Sequence, residues 1–240
     1  MPHARSKLPT AAETNAGLAA ISTTVKAKYA VVGGAGCVAL GHTRQTEDID
    51  IVVPQGKTKD ARTDLKGSQS FTVEARTNHT AYVGQNKSLE PIEVEILTPP
   101  ALFKLPYTGA DNEVVVVKGV RVLHPRIILE AKTGSILGRS SDQKRKTDAA
   151  DIIFLVNYLH SHHETLTVGQ YGLTAEFIQS FVTNFPNAKP IFQAAGLYQS
   201  TGGTPSGSRP GTPTGSRPGT PTGRTTTTTG SRSNSPSRRV

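Results

Sequence analysis

The chain has 240 residues, a formal net charge of +9 and a single cysteine, Cys37. That length allows one domain, or one domain with a tail. One cysteine excludes an internal disulfide framework and suits a reducing compartment, cytoplasmic or nuclear, and no apolar run approaches the ~18 to 20 residues of a membrane span, so no membrane role is expected.

Residues 1–15 read as unstructured, with no apolar stretch of the secretory type. Residues 16–29, AGLAAISTTVKAKY, place apolar side chains near helical spacing and predict a helix. YAVVGG predicts a strand that ends at Gly33-Gly34, and DIDIVVP a second. SFTVEA (70–75), TAYVG (80–84) and IEVEILT (92–98) alternate or run apolar as strands do. EVVVVKGVRVLHP (113–125) is one more strand, broken in two at Gly119. Pro125 suits the first turn of a helix through PRIILEAKTGSILGR. A second helix covers about 141–160, with Ile152, Ile153, Val156 and Leu159 on one stripe, and TAEFIQSFVTNF makes a third before Pro186. The three histidines of LHSHHE (159–164) have no cysteine partners and read as a polar helix end rather than a zinc site.

Strands dominate the first half and helices the second. The expected class is therefore α+β: a small mixed β-sheet with flanking helices in a core of residues 16–124, then a helical lobe over 125–198. Residues 199–240 change character. SRPGTPTG occurs at 208–215 and again at 216–223, and the segment from 201 holds six Arg and no acidic residue. With almost nothing apolar to offset its ordering entropy, it reads as a disordered basic tail able to contact RNA or another partner. Thr204, Thr212, Thr220 and Ser235 each precede proline there. The rest of the chain is close to balanced, with 21 basic against 18 acidic residues, and shows no obvious polynucleotide groove.

VVGGAGCVALGHTRQTEDIDIVV (31–53) carries the chemistry. Gly34-x-Gly36-x-x-Ala39 matches a dinucleotide fingerprint, but that fold needs its ribose acid at the far end of the second strand. Here Asp48 and Asp50 open the strand and Val53-Pro54 closes it. A Walker loop is excluded because no Gly-Lys-Ser/Thr follows. On a strand, residues i and i+2 share a face, so Asp48 and Asp50 project together. Two carboxylates so placed repel unless a cation such as Mg²⁺ or Mn²⁺ sits between them. A third acid on a neighbouring strand would complete the site. IEVEIL offers Glu95, which directly precedes its apolar end, or Glu93. Glycines let backbone approach a phosphate closely, and a helix start offers free N–H groups.

Residues 29–53 resemble the signature of the nucleotidyltransferase superfamily that shares its fold with DNA polymerase beta: an apolar strand, Gly-Gly or Gly-Ser, a helix, then Asp-x-Asp. Thirteen residues separate Gly34 from Asp48, and the spelling Arg44-Gln-Thr46-Glu-Asp48-Ile-Asp50 is most similar to the minimal, abortive-infection-toxin-like branch. The resemblance extends over about 16–160. It implies that Gly33 and Gly34 contact the triphosphate of an NTP, and that Asp48, Asp50 and an acid of the Glu93/Glu95 strand hold the metals. The third acid departs from the frequent Asp. Arg44 and Thr46 either touch the nucleotide, orient Asp48 or stabilise the turn. A triphosphate also calls for cations, and Lys132, Arg139 and Lys146 are the positions most similar to the family's phosphate-contacting ones. For Lys144 and Asp148, four apart on a helix, an ordinary surface pair is the simpler expectation. The implied activity is transfer of a nucleoside monophosphate from an NTP to a hydroxyl with release of pyrophosphate, the acceptor being RNA, protein or a small molecule. Two other readings remain: a non-catalytic nucleotide-binding protein of the same fold, and an RNA-associated protein that binds through its tail.

Overall fold

The computed structural model describes residues 7–85 and 90–199. The expectation of a disordered tail falls outside them, apart from residue 199.

Helix α1 runs from Ala11 to Thr24 rather than over 16–29. Its start is set by a capping box: the Thr10 hydroxyl accepts from the Glu13 amide at 3.2 Å, and Glu13 Oε2 accepts from the Thr10 amide at 2.7 Å. The helix therefore begins inside the stretch read as unstructured. It buries Thr14, Gly17, Leu18 and Ile21, one face at helical spacing. Strand β1 (Ala30–Val32) leads into the short α2 (Gly33–Ala39), and β2 covers Asp48–Val52. Helix α3 (Thr58–Lys66) has no counterpart in the sequence reading. Its only buried residues are Ala61 and Leu65, too few for a visible apolar period.

Strands β3 (Phe71–Val73), β4 (Thr80–Tyr82) and β5 (Ile92–Leu97) follow, then β6 (Val114–Val117) and β7 (Val120–Leu123), which meet at the expected Gly119 turn. Lys118 and Gly119 both have positive φ, as a two-residue hairpin requires. All seven strands make one mixed sheet in the order β3-β4-β5-β2-β1-β7-β6. At its centre β2 is antiparallel to β1 and parallel to β5. Ile49 and Ile51 are fully buried in the core, while Asp48 and Asp50, on the other face, are partly exposed.

The lobe consists of α4 (Pro125–Ile136), α5 (Asp142–Ser161), α6 (Ala175–Asn184) and the short α7 (Lys189–Ala194). Helix α4 packs along α5, and both touch α2, so the lobe meets the sheet at the Gly-Gly turn. The histidine run closes α5 as expected: His162 stacks on Tyr158 with centroids 4.0 Å apart. The class is α+β, with a mixed sheet, flanking helices and a helical lobe. No helix among the described residues is long and apolar enough to cross a membrane.

Candidate active site

The parallel register of β2 on β5 places Asp50 beside Glu95 and Asp48 beside Glu93. Paired residues of adjacent strands share a face, so four carboxylates line one side of the central strands. They are not equivalent. Glu93 is half exposed and lies 3.2 Å from His79 Nε2, which gives it a partner of its own. Glu95 projects from the same face as Asp50 with no such partner among the described residues.

The electrostatics follow from this crowding. Burial, then the charges of Asp48 and Glu95, push Asp50 up from 3.8 to about 7, against the pull of Lys132 and Arg139. Burial, with Asp48 and Glu93, also raises Glu95, and Lys144 opposes the rise. The cation of α5 that acts on the acidic strand is thus Lys144. Lys146, expected there, is two residues further round the helix and lines a different cleft with Phe177 and Phe181. Lys144 does not form the expected surface pair with Asp148 either. That aspartate is buried and belongs to another set of partners.

Gly33 and Gly34 are required by the site's own side chains. Gly33 has φ +61°, and a Cβ there would lie 2.2 Å from Asp50 Oδ2. A Cβ on Gly34 would lie 2.3 Å from Arg44 Nη2 and 2.5 Å from Thr46 Oγ1. Thr46 is buried, 5% exposed, against this turn. All three nitrogens of Arg44 are engaged: Nε and Nη2 donate to the two oxygens of Asp151 at 2.6 and 2.8 Å, and Nη1 donates to the Gln45 carbonyl at 2.7 Å. This arginine ties the approach to β2 onto α5. In this arrangement it acts as a clamp on the turn.

Lys132 is the hub of the same network. The residue is 9% exposed, and its ammonium lies 2.7 Å from Asp148 Oδ1 and 2.8 Å from Asp151 Oδ2. Burial alone would lower its pKa, but Asp151 and Asp148 outweigh that and hold it above the usual lysine value. Arg139 Nε donates to Asp148 Oδ2 at 2.8 Å, and its terminal nitrogens have no partner among the described residues. Burial works against ionised Asp148, yet Lys132 and Arg139 keep its carboxyl below the usual range. Three cations thus face two carboxylates, leaving one positive charge beside Asp50. Cys37, wholly buried close by, has its thiol pushed up by burial and by Asp151, which makes it a packing residue and not a nucleophile.

The sequence reading gives Asp151 no role and Asp148 only that of a surface partner for Lys144. Their signal was present: both sit on the buried stripe of α5 with Ile152 and Leu155, and Lys132 falls between Ile128 and Ile136 on the buried stripe of α4. Charges at core positions of facing helices call for each other.

For a metal, the donor set is all carboxylate oxygen, which suits Mg²⁺ or Mn²⁺. Mutual repulsion among Asp48, Asp50 and Glu95 is the electrostatic condition that a divalent cation relieves. Among the described residues, however, no group of three or more His, Cys, Asp or Glu is already gathered at metal-binding distance. The acids are in register but not converged.

No protein-family model matches the sequence, and no curated protein matches it either. Solved structures do. The chain is similar to an antigenic nucleotidyltransferase-like protein from Paracoccidioides brasiliensis, with a TM-score of 0.54 and 20% identity over 79% of this chain and 94% of that one. It is also similar to JHP933 from Helicobacter pylori, with a TM-score of 0.50 and 14% identity over 79% of this chain and 82% of that one. At such identities the likeness is one of fold: the chain has a nucleotidyltransferase-like fold.

Proposed function

We propose that this chain is a metal-dependent nucleotidyltransferase that moves a nucleoside monophosphate from an NTP to a hydroxyl acceptor. The acceptor oxygen bonds to the α-phosphorus, the α–β phosphoanhydride breaks, and pyrophosphate leaves. The observation that carries the reading is the β2–β5 register, which sets Asp50 beside Glu95 and Asp48 on the same face, next to a glycine turn and a cationic network.

In this reading Asp48, Asp50 and Glu95 hold Mg²⁺ or Mn²⁺, with Glu93 at the edge. The ion supplies charge neutralisation for the triphosphate. Gly33 and Gly34 leave the turn free of side chains where phosphates approach. Arg139 binds phosphate through its uncommitted terminal nitrogens while its Nε stays on Asp148. Lys144 adds a second cation at the Glu95 side. Asp148, Asp151 and Arg44 are positioning residues: the two aspartates hold Lys132 charged and in place beside Asp50, and Arg44 fixes Asp151. Glu95, held above the usual carboxylate range, is the group suited to take the proton of the acceptor hydroxyl. Work of this kind is mostly positioning and preorganised charge.

The test is Mg²⁺-dependent incorporation of α-phosphorus-radiolabelled NTPs, each of the four bases in turn, into total RNA and cell extract. The double variant Asp48→Ala/Asp50→Ala serves as the blank. Label in one fraction, absent from the blank, supports the proposal and names the acceptor class and the base. Mg²⁺-dependent NTP binding without label would instead favour a non-catalytic nucleotide-binding protein. The absence of both label and NTP binding would overturn the phosphate role of Gly33 and Gly34.

A further inference from the structure

The carboxylates occupy the middle of the sheet, and its two edges are unlike each other. Strand β3 closes one side and β6 the other. The exposed side chain of β3 is polar, Thr72. Strand β6 is four valines in succession, with Val116 63% exposed and the other three partly buried. Edge strands are commonly blunted by an internal lysine, a proline or a bulge. The register of β6 on β7 is unbroken, and none of its four residues is of that kind.

The ladder to β7 decides which backbone groups β6 leaves over. Val114 pairs with Leu123 and Val117 with Val120, and beyond them the His124 amide donates to the Glu113 carbonyl at 2.8 Å. Antiparallel ladders alternate bonded and non-bonded pairs. Glu113, Val115 and Val117 therefore bond inward to β7, while Val114 and Val116 turn their backbone groups outward. The Val114 amide is taken by the Asp111 carbonyl. The Val114 carbonyl and both backbone groups of Val116 remain, with no backbone partner among the described residues.

We propose that β6 pairs with β6 of a second copy of this chain, antiparallel and about a two-fold axis at Val116. In that register the two Val116 residues exchange both of their hydrogen bonds. At the next bonded position, each Val114 carbonyl accepts from the Lys118 amide of the other copy. The groups that the strand leaves over are thus their own complement, which is the requirement of a two-fold contact. The charges select the same direction. Asp111 and Glu113 precede the valines and Lys118 follows them. Antiparallel pairing sets the acidic end of one strand by the lysine of the other, whereas parallel pairing would set like against like. Val116 is then covered by its own counterpart. Pairing consumes this edge on both copies, so the assembly stops at two. Four residues a side make a contact smaller than the ~1,200 to 2,000 Å² of stable complexes, so the dimer is weak and dissociates on dilution. Strands β7 and β1 stand between β6 and β2, and the proposal does not depend on the transferase reading.

Sedimentation velocity of the full chain tests it. The weight-average coefficient should rise from that of a monomer toward that of a dimer between ~1 and ~500 µM chain. Val116→Lys, at an exposed position, sets two ammonium groups face to face on the axis and should weaken association at least ~tenfold. Lys118→Glu, which sets acid against acid, should weaken it as well, and Thr72→Lys on the opposite edge should leave it unchanged. Cooperative melting confirms that each variant is folded, and Lys118→Glu carries the test if Val116→Lys melts without a transition. Val116→Cys should cross-link two copies under mild oxidation faster than Thr72→Cys, because opposed bonded residues lie ~5.5 Å apart at Cα, within disulfide reach. Cys37 is wholly buried and does not compete. A chain that stays monomeric over the whole range would overturn the proposal. So would association that survives both Val116→Lys and Lys118→Glu, or cross-linking through residue 116 no faster than through residue 72.

Discussion

Replacing Asp151 with alanine probes the buried charge network most directly. In the native chain this carboxylate is fully buried and accepts from Arg44 at 2.6 and 2.8 Å, with Lys132 Nζ 2.8 Å from Oδ2. Its loss leaves Arg44, Lys132 and Arg139 around Asp148 alone. Removing one partner of a buried ion pair costs ~3 to 5 kcal/mol. Two features hold the expected value to the lower end. Lys132 keeps Asp148 at 2.7 Å, and the Arg44 side chain is 17% exposed and keeps the Gln45 carbonyl. The expected loss is therefore about 3 kcal/mol, or a Tm lower by about 6 to 12 °C at this chain length. Urea unfolding followed by far-UV circular dichroism measures it. Asp60→Ala is the control: it removes the Lys57–Asp60 pair, whose side chains are 56% and 53% exposed, and should cost under ~1 kcal/mol. Arg44→Met in the Asp151→Ala background should recover part of the loss, with a coupling of at least ~1 kcal/mol in the double-mutant cycle. A loss no larger than the Asp60 control, or no coupling to Arg44, would refute the idea that these charges depend on one another.

Other substitutions separate the roles of the site. Gly33→Ala meets both a positive φ and Asp50 at 2.2 Å, so it should destabilise by ~1 to 3 kcal/mol in urea. Gly134→Ala, in the last turn of α4 with open space around it, should instead stabilise by ~0.5 to 1 kcal/mol. Asp50 keeps its proton up to about 7 when folded and to 3.8 when unfolded, so the native state binds more protons between those values. Its contribution to stability therefore falls as pH rises through that window. Asp50→Asn should remove this decline, read as urea midpoints against pH in chelator; parallel curves for the two proteins would contradict the assignment. Mg²⁺ or Mn²⁺ should raise the Tm of the native chain near neutral pH and leave that of Asp48→Ala/Asp50→Ala unmoved, because binding to the folded state alone stabilises it.

What the sequence made legible was periodic. The alternation of IEVEIL, with Glu93 and Glu95 opposite Ile92, Val94 and Ile96, located β5 and its acidic face, and DID did the same for β2. The break at Gly119 was readable because a hairpin turn needs positive φ there. Helix α1 was displaced toward its C-terminal end because its capping residues, Thr10 and Glu13, lie outside the apolar stretch. Which of the α5 cations faces the sheet was hidden for a different reason. A run of three cations, Lys144-Arg145-Lys146, covers most of a helical turn, and only the direction of packing decides which one meets the sheet. The register of β2 on β5 was likewise invisible in either strand alone: that Asp50 lies beside Glu95 and Asp48 beside Glu93 appears only when the strands pair.

The acids of the lobe matter to the carboxylates of the sheet through Lys132. A lysine buried this deeply would by itself tend to lose its proton. Asp151 and Asp148 reverse that tendency and keep it charged. A charged Lys132 then opposes the rise of the Asp50 pKa, as Arg139 does. Two buried aspartates on α5 thus promote ionisation of a third on β2 although they share its sign, because each acts on the cation between them. The same logic explains why the network stops short of neutrality. With a third aspartate in place of the surplus charge, Lys132 would still be ionised, but its field at Asp50 would be cancelled. A network of three cations and two anions holds its lysine charged and still presents a net positive charge to the strand that carries Asp48 and Asp50.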